Sequence, residues 1–157
     1  INMEQRQRVV DLTLSLLGGS ALNARIAVLG AAFKPDTDDV RDSPALNVAA
    51  GLHLRGALVT VYDPAARGTA GRLFPTLSYA GSLEEAVAGA DAVLVLTEWA
   101  EFRSADPVAL SELVRRRVVV DARGCLPAGE WIAAGWRLRV LGRGAAEAEE
   151  RMLAFAR

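Results

Sequence analysis

The 157-residue chain is poor in the side chains that form disulfides and metal sites, with one cysteine and one histidine. Cys125 alone cannot form an internal disulfide, and Cys125 with His53 supplies too few ligands for a Cys/His zinc site. No apolar run reaches the roughly 18 residues that a membrane-spanning helix needs. Acidic and basic residues are interspersed, so no extended basic stripe indicates nucleic-acid binding. We therefore expect a soluble protein without a metal, a membrane span or a nucleic-acid partner.

Short apolar runs that contain β-branched residues alternate with helical segments along the chain. The five runs are residues 26–30, 58–62, 92–97, 117–122 and 136–141. Ser43, Ser82 and Asp106 stand between them as helix-capping residues, two of them followed by proline. This alternation predicts an α/β fold, namely a three-layer, doubly wound, Rossmann-like sheet of five to six mostly parallel strands.

The ends of the chain predict two further helices. Apolar residues recur with helical spacing from Glu4 to Leu17, which predicts an N-terminal helix within residues 1–19. Residues 20–143 would then form one domain, and residues 144–157 a short C-terminal helix. Because the chain begins with Ile1 and opens directly in an amphipathic segment, we expect it to be a fragment of a longer polypeptide.

Three basic residues lie where a parallel sheet binds ligands, in the loops after its strands. Lys34, the sole lysine, and Arg41 follow the first apolar run, and Arg123 follows the fourth. Doubly wound order usually makes those two strands neighbours, in which case Lys34 and Arg123 meet at one crevice and suit an anionic ligand. The alternative is that Lys34 and Arg41 pair with the four aspartates of residues 36–42 on a solvated loop.

The first two strands do not carry a complete dinucleotide-binding motif. The glycine-rich turn G-x-G-x-x-G is absent, since Gly30 is followed by Ala31, Ala32 and Phe33. Asp63 ends the second strand, but it lies 33 residues after Gly30 instead of about 20. A strand-ending turn is therefore the favoured interpretation of Asp63, and the sequence predicts that this sheet does not bind NAD in its own crevice.

Cys125 and Trp99 each have a functional and a structural interpretation. A nucleophilic cysteine needs a neighbouring base, and no histidine is near Cys125 in the sequence, which favours a structural role. Trp99 follows the third apolar run, where its ring could stack on a ligand or close the core. Packing in the core is the favoured interpretation.

Four stretches of the chain together resemble one known family. They are GAAFKPDTDDVRDSPA at 30–45, VYDP at 61–64, ADAVLVLTEWAEF at 90–102 and VVVDARG at 118–124. The first resembles the motif G-x-A-F-K-x-x-T-x-D-x-R-x-S-P, which opens the C-terminal, UDP-binding domain of the UDP-glucose/GDP-mannose dehydrogenase family. Within that family, the TEWAEF and KPDTDDVRDSPA segments are most similar to UDP-glucose 6-dehydrogenases.

The resemblance implies a function and a set of site residues. Family enzymes oxidise the sugar C6 hydroxyl to a carboxylate in two NAD-dependent hydride transfers, here from UDP-glucose to UDP-glucuronate for polysaccharide biosynthesis. Phe33, Lys34 and Arg123 are implied to bind the UDP-sugar. Arg41 is implied to approach an NAD held mainly by an N-terminal domain. The implied parent is a cytoplasmic homodimer or larger oligomer with N-terminal and central domains that this chain lacks.

The chain also departs from the family pattern. Cys125 does not match the catalytic cysteine of the family, and the glycine-rich NAD turn is absent. We therefore expect the chain alone to be inactive, with no catalytic residue of its own. Two alternatives stay open: a non-catalytic, stand-alone binding or assembly module of the same fold, and the equivalent domain of a UDP-N-acetylmannosamine or GDP-mannose dehydrogenase.

Overall fold

The computed structural model describes residues 3–32 and 34–141. The strands are β1 (Arg25–Leu29), β2 (Leu58–Tyr62), β3 (Ser78–Tyr79), β4 (Ala92–Val95), β5 (Val118–Asp121) and β6 (Arg137–Val140). The helices are α1 (Met3–Leu16), α2 (Pro44–Leu54), α3 (Arg67–Leu73), α4 (Leu83–Val87), α5 (Ala100–Arg103), α6 (Pro107–Ser111) and α7 (Ala128–Ala133). Within these residues, none of the helices is long and apolar enough to cross a lipid bilayer.

The described strands form a single parallel sheet in the order β3-β2-β1-β4-β5-β6. This confirms the predicted α/β, doubly wound architecture with six strands. The sequence did not predict β3, because a strand of two residues is too short to leave an apolar run. Ser43, Ser82 and Asp106 cap α2, α4 and α6 as predicted, each accepting a backbone N–H from the first turn.

Helices bury both faces of the sheet, and β1 shows how. Ile26 and Val28 enter one core cluster with α1, α2 and α3. Ala27 and Leu29 enter a second cluster with α4 to α7. Each of the four side chains is at most 2 % exposed. Burial on both faces explains why β1, β4 and β5 are nearly continuous apolar runs, whereas the outermost strand β6 alternates exposed arginines with buried Leu138 and Val140.

The predicted N-terminal helix is present as α1, which begins and ends within one residue of the predicted bounds. It packs against α2 and β5, and Val9, Val10 and Leu16 are buried in the first core cluster. The predicted helix at 144–157 and Phe33 lie outside the described residues. The division of the chain at residues 19 and 143 stays a prediction.

The strand order corrects one expectation from the sequence. The predicted strands at 26–30 and 117–122 are not neighbours, because β4 lies between β1 and β5. The chain runs outward from β1 to β3, returns to the centre at β4 and runs outward again to β6. The reversal of strand order therefore lies between β1 and β4, which is where open parallel sheets bind ligands.

The loops that follow β1, β4 and β5 begin at the same level of the sheet. Leu29 pairs with Val95, and Val95 pairs with Asp121, so the carboxyl ends of these three strands are in register. The three loops consequently start side by side along one edge of the sheet. They carry every described residue that the sequence analysis proposed as a ligand contact.

Candidate functional site

The carboxylate of Asp63, at the end of β2, anchors the loop after β1. Asp63 is only 4 % exposed, and its two oxygens accept five N–H groups. The donors are the backbone N–H groups of Ala31, Ala32, Ala65 and Ala66 and the indole Nε1 of Trp99, at 2.7 to 3.2 Å. The structure therefore supports the favoured interpretations of both residues: Asp63 organises a turn, and Trp99 packs in the core.

Two hydroxyl groups fix the same loop from other sides. Thr97, after β4, donates from Oγ1 to the carbonyl oxygen of Ala32 at 2.9 Å. Ser43, the capping residue of α2, donates to the carbonyl oxygen of Ala31. Gly30 adopts a φ of 106°, and a Cβ at this position would lie 2.4 Å from Thr97 Oγ1. A side chain does not fit there, so the close approach of the β1 and β4 loops requires glycine.

Lys34 and Arg41, in the loop after β1, have different electrostatic surroundings. Arg41 forms a bidentate pair with Asp39, with Nε–Oδ1 at 3.0 Å and Nη2–Oδ2 at 2.9 Å. These hydrogen bonds lower the pKa of Asp39 to about 2. Lys34 is exposed and forms no ion pair with any described residue. Arg41 therefore pairs with an aspartate of its own solvated loop, as the alternative interpretation predicted, whereas Lys34 forms no such ion pair among the described residues.

Arg41 also borders a cleft of about 440 Å³ between the β1 loop and α3. Thr69, on α3, donates from Oγ1 to the carbonyl oxygen of Asp38 at 2.8 Å and so fixes the loop against the helix. The lining residues are Asp38, Asp39, Val40, Arg41, Thr69, Arg72 and Leu73. The cleft is therefore lined by charges of both signs, namely the guanidinium groups of Arg41 and Arg72 and the carboxylates of Asp38 and Asp39.

Arg123 lies in the loop after β5, and buried Asp121 holds its backbone. Asp121 accepts the backbone N–H groups of Arg123 at 3.1 Å and of Leu126 at 2.8 Å. The Arg123 side chain donates from Nη2 to Glu98 Oε1 at 2.8 Å. Glu98 lies in the loop after β4, so this ion pair joins two neighbouring loops. Sequence analysis did not identify Glu98, because an acidic residue after a strand carries no signal for a partner 25 positions away.

The predicted meeting of Lys34 and Arg123 stays a prediction. Both lie at the carboxyl edge of the sheet, but the loop after β4 separates their loops. Since neighbouring strands are about 4.8 Å apart, a ligand that contacts both residues must span two such spacings, roughly 10 Å. No described carboxylate forms an ion pair with both Lys34 and Arg123.

Cys125 lies beside Asp121 in a setting that suppresses the thiolate. Its Sγ is 3.7 Å from Asp121 Oδ1. Burial, together with the negative charge of Asp121, raises the pKa of the Cys125 thiol to about 12. This favours the structural interpretation of Cys125. Within residues 3–32 and 34–141, no group of three or more His, Cys, Asp or Glu side chains is placed to hold a metal ion.

Comparisons with known proteins bear on this geometry. Residues 27–128 match the family model described as "UDP-glucose/GDP-mannose dehydrogenase family, UDP binding domain". The UDP-glucose 6-dehydrogenase YwqF of Bacillus subtilis is 37% identical over 91% of this chain and 32% of its own length. The chain thus spans about a third of the curated relatives that it matches.

Solved structures of sugar-nucleotide dehydrogenases have the same fold. A UDP-glucose dehydrogenase from Pyrobaculum islandicum aligns with a TM-score of 0.73 at 30% identity, covering 92% of this chain and 30% of that protein. A UDP-D-ManNAc dehydrogenase from Pyrococcus horikoshii aligns with a TM-score of 0.69 at 29% identity, covering 89% of this chain and 30% of that protein.

Replacing Gly30 by alanine should destabilise the protein by about 2 to 4 kcal/mol, because it adds a clash with Thr97 to a left-handed backbone. Gly19→Ala is the matched control, since Gly19 has a φ of 103° and no atom within 4 Å of its Cβ position. We expect the control to cost only about 1 to 2 kcal/mol. Urea unfolding of both variants measures the difference, and equal losses would contradict the close contact between the two loops.

Native Cys125 should resist alkylation by iodoacetamide at pH 8, because a thiol with a pKa of about 12 is almost entirely protonated there. Unfolding in urea should restore the ordinary thiol pKa and with it rapid labelling. Mass spectrometry of the labelled fraction over time gives both rates. Equal labelling rates in the native and unfolded chain would show that the thiolate is accessible in the fold.

Proposed function

The chain belongs to the UDP-glucose/GDP-mannose dehydrogenase family, and on that basis we propose that it is the nucleotide-sugar-binding C-terminal domain of an NAD-dependent UDP-glucose 6-dehydrogenase. The observation that carries the proposal is the match of residues 27–128 to the UDP-binding domain of this family. The parent reaction would convert UDP-glucose to UDP-glucuronate, with each of two hydride transfers reducing one NAD⁺. A cytoplasmic, oligomeric parent chain is part of the same proposal.

In this proposal, Lys34 and Arg123 bind the anionic part of the UDP-sugar. Lys34 is exposed and forms no ion pair with a described carboxylate; its charge helps to lower the pKa of Asp39, but its ammonium group is available to a phosphate group. Arg123 projects a planar set of donors from the loop after β5. A diphosphate joined to a sugar is long enough to span the two strand spacings between these loops. Phe33 is assigned to the same ligand by the family motif alone.

The residues of this crevice do not fit the pyrophosphate of NAD. In a dinucleotide-binding turn, backbone N–H groups after the first strand are directed at the pyrophosphate. Here the N–H groups of Ala31 and Ala32 donate to Asp63 instead. We therefore assign NAD to an N-terminal domain of the parent chain, with Arg41 approaching it from this domain. The chain alone would then bind a nucleotide-sugar but transfer no hydride.

A second candidate is the equivalent domain of an enzyme that acts on another sugar nucleotide. The P. horikoshii UDP-D-ManNAc dehydrogenase aligns nearly as well as the P. islandicum UDP-glucose dehydrogenase. The contacts discussed above involve loops that would face a diphosphate in either case. Titration with UDP-glucose and UDP-N-acetylmannosamine in parallel would separate the two candidates by their relative affinities.

Lys34→Ala and Arg123→Ala should each weaken UDP binding by about tenfold or more, because each removes a charge-assisted contact of roughly 1.5 to 3 kcal/mol. Isothermal titration calorimetry of the purified chain with UDP measures the affinities. Arg55→Ala is the control, since Arg55 is exposed at the end of α2, away from the three loops, and its Nη1 donates to the carbonyl oxygen of Gly51 at 3.0 Å. Unchanged affinity in both site variants would remove these residues from the binding site.

A further inference from the structure

Glu98 and Asp39 hold two of the three predicted ligand-binding cations in different ways. Asp39 binds Arg41 through both Nε and Nη2, which occupies one complete edge of that guanidinium. Glu98 binds Arg123 through Nη2 alone, at 2.8 Å. A guanidinium has five N–H donors, so a single hydrogen bond leaves most of the Arg123 donors for another partner. The Glu98 contact thus orients Arg123 without saturating it.

The backbone on both sides of the Glu98–Arg123 ion pair is fixed. Glu98 lies between Thr97, which donates to the carbonyl oxygen of Ala32, and Trp99, which donates to Asp63. Asp121 holds the backbone N–H of Arg123. A carboxylate on a fixed loop that contacts a guanidinium on a second fixed loop can set the direction of that guanidinium.

The partial exposure of the Glu98–Arg123 ion pair is also consistent with a role in orienting the Arg123 side chain. The side chain of Arg123 is 27 % exposed and that of Glu98 is 36 % exposed, so the pair is neither buried from a ligand nor free in solvent. A partly exposed ion pair of this kind contributes little to stability. Its main consequence is therefore conformational, because it restricts a long side chain that would otherwise sample many rotamers.

We propose that Glu98 is a positioning residue, whose carboxylate holds the Arg123 guanidinium in the orientation that binds the anionic part of the nucleotide-sugar. The inference rests on the proposed function of this chain as a nucleotide-sugar-binding domain. The competing possibility, that Glu98 blocks the Arg123 donors, predicts the opposite change in ligand affinity when Glu98 is replaced. If Glu98 occupies the donors that the ligand needs, removing it strengthens binding; if it orients them, removing it weakens binding.

Glu98→Ala should weaken UDP binding by about fivefold, because Arg123 must then be ordered at the expense of binding free energy. Glu98→Gln keeps an acceptor oxygen for Nη2 and should restore the affinity to within about twofold of the wild type. Glu112→Gln is the control, since Glu112 is an exposed glutamate whose side chain forms no ion pair with any described residue. Calorimetric titration with UDP measures all four proteins, and thermal unfolding verifies that they fold equally.

A double-mutant cycle separates positioning from a general structural role. In an Arg123→Ala background, Glu98→Ala should cause no further loss, because the residue that it orients is gone. An undiminished loss in that background, tighter binding by Glu98→Ala, or no change in its affinity would each overturn the inference. Failure of the wild-type chain to bind UDP would overturn the proposed function as well, whereas normal wild-type binding with an insensitive Glu98 overturns the positioning role alone.

Discussion

The buried carboxylate of Asp63 is the interaction on which the arrangement of the candidate site depends. A buried charge is costly unless hydrogen bonds compensate it, and Asp63 accepts five N–H groups from three segments. These segments are the loop after β1, the turn into α3 and the loop after β4. One side chain therefore joins the loop that carries Lys34 to the loop that carries Glu98.

The same interaction distinguishes the loop after β1 from the turn of a dinucleotide-binding sheet. The N–H groups of Ala31 and Ala32 are occupied by Asp63, so the backbone after β1 is not available to a pyrophosphate. In our proposal, side chains at the flanks of the crevice take over this role. In the same proposal, a lysine would supply a compact charge and an oriented arginine a fork, which together would select a ligand about two strand spacings long.

Local sequence patterns were sufficient for the class of fold but not for its internal contacts. Continuous apolar runs and the caps at Ser43, Ser82 and Asp106 predicted the strands and helix starts, because burial and capping act over a few residues. The expected adjacency of the strands at 26–30 and 117–122 was wrong, since no local pattern encodes which strands are neighbours. The Glu98–Arg123 contact was missed for the same reason: it joins residues from different strand ends, and only the folded sheet brings them together.

The most direct test of the account is to locate UDP on the ¹⁵N-labelled chain by chemical-shift changes of its backbone amides. We predict that the shifts concentrate in the loops after β1, β4 and β5. The opposite edge of the sheet has a cleft of about 500 Å³ whose lining includes Arg115, Arg116, Arg117 and Arg137, and it offers a competing basic surface. Shifts concentrated at those arginines, with the three loops unaffected, would contradict the proposed site.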